Sequence, residues 1–276
     1  MAAGTQRPDR GRSLKAHQAN IDWTEVIGPP LGLRDRYRRA AAAGRPLIGG
    51  HRGDPARRPE NTLSSFSSAL DLGVDLIECD VHLSADGDLI VIHDHTLDRT
   101  TDGSGLVVAH RTSELRRLAA GEGERLPLFS EVCELVRGRA GLCVELKQLP
   151  VAYPELEERV VEALARHDLL DDCAVISFCH RSVARVRELE PRLQGGLLLV
   201  SRPIDPVRIL EEAGAQIYSP HWSATDPELM NAIRASGGVV GTWTVDDPTA
   251  VGWSRHCPPD SLFTNHPEEL MAEFAL

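Results

Sequence analysis

The fold class the sequence predicts is α/β: a (β/α)8 TIM-type barrel with a hairpin-like link between strands 2 and 3 and a small inserted segment. Three observations carry it. From Leu47 onward, short apolar runs alternate with amphipathic ones over roughly 230 residues, the pattern of parallel strands joined by crossover helices. A chain of 276 residues matches one such barrel in size. At 42% hydrophobic but only 4% aromatic, it builds its core mainly from Leu, Val, Ile and Ala.

The elements follow in order. Residues 1–28 are polar without steady periodicity and are expected to form a flexible N-terminal tail, with the barrel occupying 29–276. Pro29 and Pro30 lead into LGLRDRYRRAAAAG, a short basic helix ended by Gly44, whose charged face reads as solvated surface. The strand candidates are LIGG, DLIECDVHL, DLIVIH, LCVEL, AVISF, GLLLV, AQIYS, VVGTWTV and SLFT. Helix candidates between them are NTLSSFSSALDLG, FSEVCELVRG, YPELEERVVEALARHD, SVARVRELE, DPVRILEEAG and DPELMNAIRASGG. The link SADG is a turn, far too short for a crossover helix, so the second and third strands form a hairpin. Residues 94–125 are polar and glycine-bearing, an insertion expected beside the barrel mouth.

Composition narrows the function. A net charge of −11 argues against nucleic acid or an anionic membrane as the main partner, while a small anionic substrate at a locally positive site stays open. The six cysteines form no CxxC pair and several sit inside apolar runs, which reads as reduced core thiols. The N-terminal stretch has no apolar core of a signal peptide, and no run approaches about 18 apolar residues. The expectation is a cytoplasmic protein with no transmembrane segment. Oligomeric state is not legible.

DLIECDVHL holds the chemical question. Alternation along a strand places Glu78, Asp80 and His82 on one side and Ile77, Cys79, Val81 and Leu83 on the other. LCVELK repeats the parity, with Cys143, Glu145 and Lys147 opposite Leu142, Val144 and Leu146. Three carboxylates from two strands thus converge on one lumen, where an unpaired buried charge costs several kcal/mol. A hard divalent cation offsets that repulsion through oxygen ligands; structural ion pairs with Lys or Arg do so equally well, and spacing alone does not choose. GGHRGDPARRPENT adds His51 and Arg52 at the C-terminal end of a strand, where barrels hold their sites, followed by Asn61 or Thr62 as helix N-cap.

HRG, PENT, ExD, DG, HD and RTTDGSG, in this order and spacing, resemble the glycerophosphodiester phosphodiesterase family. The similarity runs from about Leu47 to the C-terminus, and RLPLFSEV, VELK and GTWTVD agree with it. The resemblance implies a barrel with an inserted segment and one divalent cation, Mg2+ or Ca2+, held by Glu78, Asp80 and Glu145. It implies His51 and His93 as the catalytic acid/base pair, and Arg52 and Lys147 as phosphate contacts. The reaction it implies is hydrolysis of a small-molecule glycerophosphodiester to glycerol 3-phosphate and an alcohol. One departure is Thr264-Asn265-His266-Pro267, where the family's usual TDxP carries a carboxylate; that position is expected to shape the barrel rim rather than the chemistry. His82 and His95 fall outside the family's catalytic pair, though His82 shares the parity of the acidic residues.

Two other readings compete. A lysophospholipase D or sphingomyelinase-D-like lipid phosphodiesterase shares the barrel and needs an apolar groove near the site. A catalytically silent binding barrel is expected to lose a histidine or a metal carboxylate, and this chain keeps all of them.

Overall fold

The computed structural model describes Met1 and residues 32–274; the expected tail, residues 2–28, lies outside them. The first element, α1 (Leu33–Ala42), is the basic helix. Its Leu33, Tyr37 and Ala40, at i, i+4 and i+7, form one apolar stripe that packs with Leu47, Leu76 and Cys143 across the N-terminal end of the strands. Arg36 makes a two-pronged ion pair with Asp172 at 2.7 Å per contact. The helix therefore seals the barrel floor while Arg38 and Arg39 stay exposed.

All nine expected strands form. They are β1 (Leu47–Gly50), β2 (Leu76–Leu83), β3 (Leu89–Val91), β4 (Gly141–Leu146), β5 (Cys173–Ser177), β6 (Gln194–Leu199), β7 (Ile217–Pro220), β8 (Val239–Thr242) and β9 (Ser261–Thr264). Eight are parallel and close into a ring, because β1 pairs with both β2 and β9. The ninth, β3, lies antiparallel on β2 with His82 opposite Ile90, the hairpin that the short SADG turn dictates.

The helices are α2 (Leu63–Leu72), α3 (Thr112–Leu115), α4 (Phe129–Val136), α5 (Leu156–Arg166), α6 (His180–Leu189), α7 (Pro206–Ala213), α8 (Pro227–Ala235), α9 (Pro248–His256) and α10 (Pro267–Glu273). Three begin with Asp-Pro. Asp205, Asp226 and Asp247 each accept backbone N–H groups of the first turn, and the following proline loses no hydrogen bond there. α3 lies within the segment 94–125, whose Leu97, Val107, Leu115 and Ala120 pack with Ile90, Ile92 and Leu126 in a small separate apolar cluster.

Strand parity sorts the side chains into layers. Ile77, Cys79, Val81, Leu142, Val144 and Leu146 point outward into the main core under α2, α4 and α5. Inside the barrel, Leu76, Cys143, Ala174, Ile176, Leu198, Ile217 and Phe263 fill the lower tiers. A Cβ on Gly49 would lie 2.5 Å from the Phe263 ring, so a glycine there lets that ring occupy the lumen. The charged tier sits above, at the C-terminal ends of β2 and β4.

Candidate active site

Glu78 and Asp80 rise from β2 and Glu145 from β4, with Asp80 in direct register with Glu145. One carboxylate oxygen from each lies within 4.8 Å of the others, and all three residues are buried. Asp80 is the most heavily supported. Asn61 Nδ2 donates to it at 2.7 Å, Lys147 Nζ stands 3.0 Å away, and Arg52 Nε stands 3.4 Å away. Burial works to raise its pKa, but Lys147 and Arg52 outweigh it and hold the group well below the usual carboxylate range. Glu78 is pushed well above that range by burial and by its two acidic neighbours, and Glu145 is pushed up to about 7 by burial.

The triad fits a divalent cation by its own chemistry. Its donors are all oxygen, they converge, and Asp80 Oδ1 is buried with no well-aligned hydrogen-bond donor despite the nearby ammonium. Two carboxylates with raised pKa values mark a site short of positive charge. Lys147, 2.8 Å from Glu145, supplies part of it.

The HRG turn is strained on purpose of position. Arg52 has φ +60°, and its backbone is pinned by its N–H to Glu78 (2.9 Å), by Asn61 N–H to its carbonyl (3.0 Å) and by Ser65 Oγ to the same carbonyl (2.9 Å). Gly53 follows at φ +92°, where a Cβ would meet the Ser65 backbone at 2.6 Å, so only glycine lets the turn lie against α2. Thr62, not Asn61, caps α2, accepting from Ser65 N–H; Asn61 is thereby free to hold Asp80.

Two histidines face the cleft, each with Nδ1 occupied. His51 Nδ1 donates to Asn265 Oδ1 at 2.8 Å, and the amide is oriented by its Nδ2 bond to Asp246 at 2.6 Å. His93 Nδ1 donates to Asp94 at 2.6 Å. In both rings this arrangement directs the neutral lone pair to Nε2. His51 is pushed down to about 4 by burial and by the Arg52 guanidinium, so it is neutral at pH 7. His93 is also lowered by burial, with Asp80 and Asp94 opposing.

The cleft, of about 490 Å3, has a polar wall of His51, Arg52, Glu78, His93, Glu145 and Lys147. Ile176, Phe178, Leu198, Trp243 and Phe263 form the facing apolar wall, with Phe178 and Trp243 in edge contact at 5.5 Å.

Residues 51–269 match the model of the glycerophosphoryl diester phosphodiesterase family. The chain belongs to that family. It is thus a phosphoric diester hydrolase, the enzyme class expected from its motifs. It is 35% identical to a glycerophosphodiester phosphodiesterase of Caldanaerobacter subterraneus over 82% of this chain and 96% of that one. A second, from Bacillus altitudinis, is 34% identical over 79% and 94%. Among solved structures, an Oleispira antarctica phosphodiesterase in complex with the product sn-glycerol-3-phosphate superposes with a TM-score of 0.77 at 29% identity, covering 86% of this chain and 99% of that one.

Six of the seven residues singled out from the family resemblance line this cleft, and the seventh, Asp80, is buried behind them against Lys147 and Arg52. One expectation changes, and the structure gives roles to residues that the sequence left unassigned. Asn265, assigned to the rim, hydrogen-bonds His51 and orients its ring, because the turn after β9 sits directly beside the end of β1. His82 does not line the cleft. It is 1% exposed, with Nδ1 on the Tyr153 hydroxyl and Nε2 on the His93 carbonyl, and so braces the backbone beneath His93. Glu60 and Arg99, quoted only as letters of PENT and RTTDGSG, prove to be joined: Arg99 binds Glu60 and Asp94 with two contacts each, and Glu60 binds Arg52. Nothing in strand parity pointed to that bridge.

Proposed function

We propose that the protein hydrolyses glycerophosphodiesters to glycerol 3-phosphate and an alcohol by general acid–base catalysis between His51 and His93, with one divalent cation, Mg2+ or Ca2+, at Glu78, Asp80 and Glu145. The observation that carries this is the convergence, in one cleft, of the buried acidic triad, two histidines presenting Nε2, and two cations, Arg52 and Lys147. The likeness to the product-bound Oleispira antarctica enzyme supports it.

When bound, the cation neutralises the triad and makes a nearby hydroxyl a better nucleophile at neutral pH. The chain's own residues do the rest. His51, held neutral by desolvation and the Arg52 guanidinium, is suited to take the proton from the attacking hydroxyl through Nε2. His93, half-exposed and backed by a carboxylate that stabilises an imidazolium, is suited to protonate the departing alkoxide. Arg52 and Lys147 offset charge on the non-bridging phosphate oxygens. Lys147 lies against Asp80 and Glu145, and with a divalent cation held by the triad its ammonium would be available to the substrate phosphate.

No helix among the described residues is long and apolar enough to cross a membrane. Six unpaired thiols, five of them buried, suit the reducing cytoplasm. The decisive experiment is release of glycerol 3-phosphate from glycerophosphocholine with Mg2+, with Ca2+ and with EDTA, beside His51→Ala. Metal-dependent release that is lost in the variant upholds the proposal; metal-independent release, or an active His51→Ala, overturns it.

A further inference from the structure

A phosphodiester has two arms, and the cleft has two lobes. Beside the inner lobe described above, an outer lobe of about 640 Å3 opens between the loops that follow β4 and β5. The lobes share His93, Glu145, Lys147 and Phe178, the place where the phosphate and its leaving-group proton are assigned above. His51 lines only the inner lobe, whereas Asp94, His95, Leu149, Pro150 and Cys179 line only the outer one.

The two carboxylates of the outer lobe are both already engaged. Asp94 is engaged by His93 and Arg99, and Glu145 belongs to the acidic triad. Away from the shared polar groups, His95 and Ser177 stand beside an apolar side made of Leu146, Leu149, Pro150, Phe178 and Cys179. Leu149 is 61% exposed and Phe178 39%, and on the next loop of the same rim Val200 and Ile204 are 72% and 106% exposed. These four side chains follow β4, β5 and β6, which are consecutive neighbours in the barrel. Beyond Met1, only Leu106 among the described residues is a similarly exposed large apolar side chain outside this arc. Single exposed apolar residues are ordinary, but Leu149 and Phe178 both line the candidate active-site cleft, with Val200 and Ile204 on the next loop, and together they mark a binding surface.

We infer that the outer lobe is the leaving-alcohol subsite and that it takes an uncharged alcohol with an apolar chain in preference to a cationic amino alcohol. This rests on the phosphodiesterase reading above. In the reaction, the oxygen of water joins phosphorus, the P–O bond to the alcohol breaks, and the alcohol departs with a proton from His93. The glycerol 3-phosphate arm keeps the enclosed inner lobe, and the variable arm lies along Phe178 toward Leu149.

The test uses the full chain with Mg2+, then Ca2+, and three esters of glycerol 3-phosphate: with choline, with glycerol and with n-octanol. The expected kcat/KM for the octyl ester exceeds that for the choline ester about tenfold, the worth of two buried methylenes. Leu149→Asp is expected to cut the octyl-to-glycerol ratio by a similar factor. Equal or reversed preference among esters that are all cleaved overturns the subsite alone. So does a Leu149→Asp variant that keeps the wild-type ratio but loses cosedimentation with phosphatidylcholine vesicles, which would make the arc a bilayer contact. No glycerol 3-phosphate from any ester overturns the phosphodiesterase reading, and this inference with it.

Discussion

His51 and His93 face the same cleft from different parts of the chain, and their supports differ in kind. His51 follows β1 and leans on Asn265, which follows β9; Asp246, after β8, fixes that amide. Its support is therefore barrel, made of neighbouring strand ends whose spacing the sheet sets. His93 follows β3, outside the closed ring, and leans on Asp94, which Arg99 of the inserted segment ties to Glu60 and so to Arg52. Its support is an ionic chain with Arg99 half in solvent. Desolvation and the Arg52 guanidinium keep the His51 imidazole uncharged, whereas the carboxylate of Asp94 beside His93 favours its protonated form. Under the proposed mechanism, one fold prepares two histidines for opposite halves of a proton transfer.

The comparison breaks first if either ring is dispensable. His51→Ala and His93→Ala are each expected to lower kcat by about 10²–10⁴-fold with little change in thermal unfolding, read by steady-state kinetics and circular dichroism. Near-full activity in either variant removes that histidine from the mechanism.

Asn265→Ala is expected to cost about 10–100-fold in kcat, the usual scale for losing the partner that orients a functional imidazole. Arg99→Lys is expected to cost only a few-fold, since a lysine keeps the charge but not the fork. Equal losses in the two would erase the distinction between a strand-built and an ionic support. Glu78→Gln acts on neither histidine. It is expected to raise the metal concentration for half-maximal rate about tenfold, with activity partly recovered at high metal.

The smallest effect concerns pH. Arg99 holds Asp94 well below its ordinary value of 3.8; at Glu60, burial pulls upward, but Arg99 and Arg52 prevail and lower it from 4.5. Carboxylates depressed in the folded state stabilise it above their ordinary values, and that contribution is lost as pH falls through the lowered ones. Arg99→Ala is therefore expected to lower Tm by about 2 °C at pH 7, discounted for solvent exposure, with the gap closing toward pH 3. A gap that widens in acid would contradict the ionic chain.

Periodicity made much of this molecule legible. The nine strands, the hairpin forced by SADG and the inward parity of Glu78, Asp80, Glu145 and Lys147 all follow from a two-residue repeat that any parallel barrel must obey. Motif order supplied His51 and His93, which periodicity alone does not link. α1 was only half legible, since its arginines masked the Leu33–Tyr37–Ala40 stripe that seals the floor.

Local sequence determined which side of each strand is apolar, where helices start at Asp-Pro, and which residues are candidates for the chemistry, because those depend on neighbours within a few positions. Only the tertiary structure decided that Asn265 would hold His51 across 214 residues of chain, that Arg99 would bridge Glu60 and Asp94, and that His82 would serve as a brace. Ring closure between β1 and β9 and the placement of the 94–125 segment set those distances, and neither leaves a periodic trace in the chain.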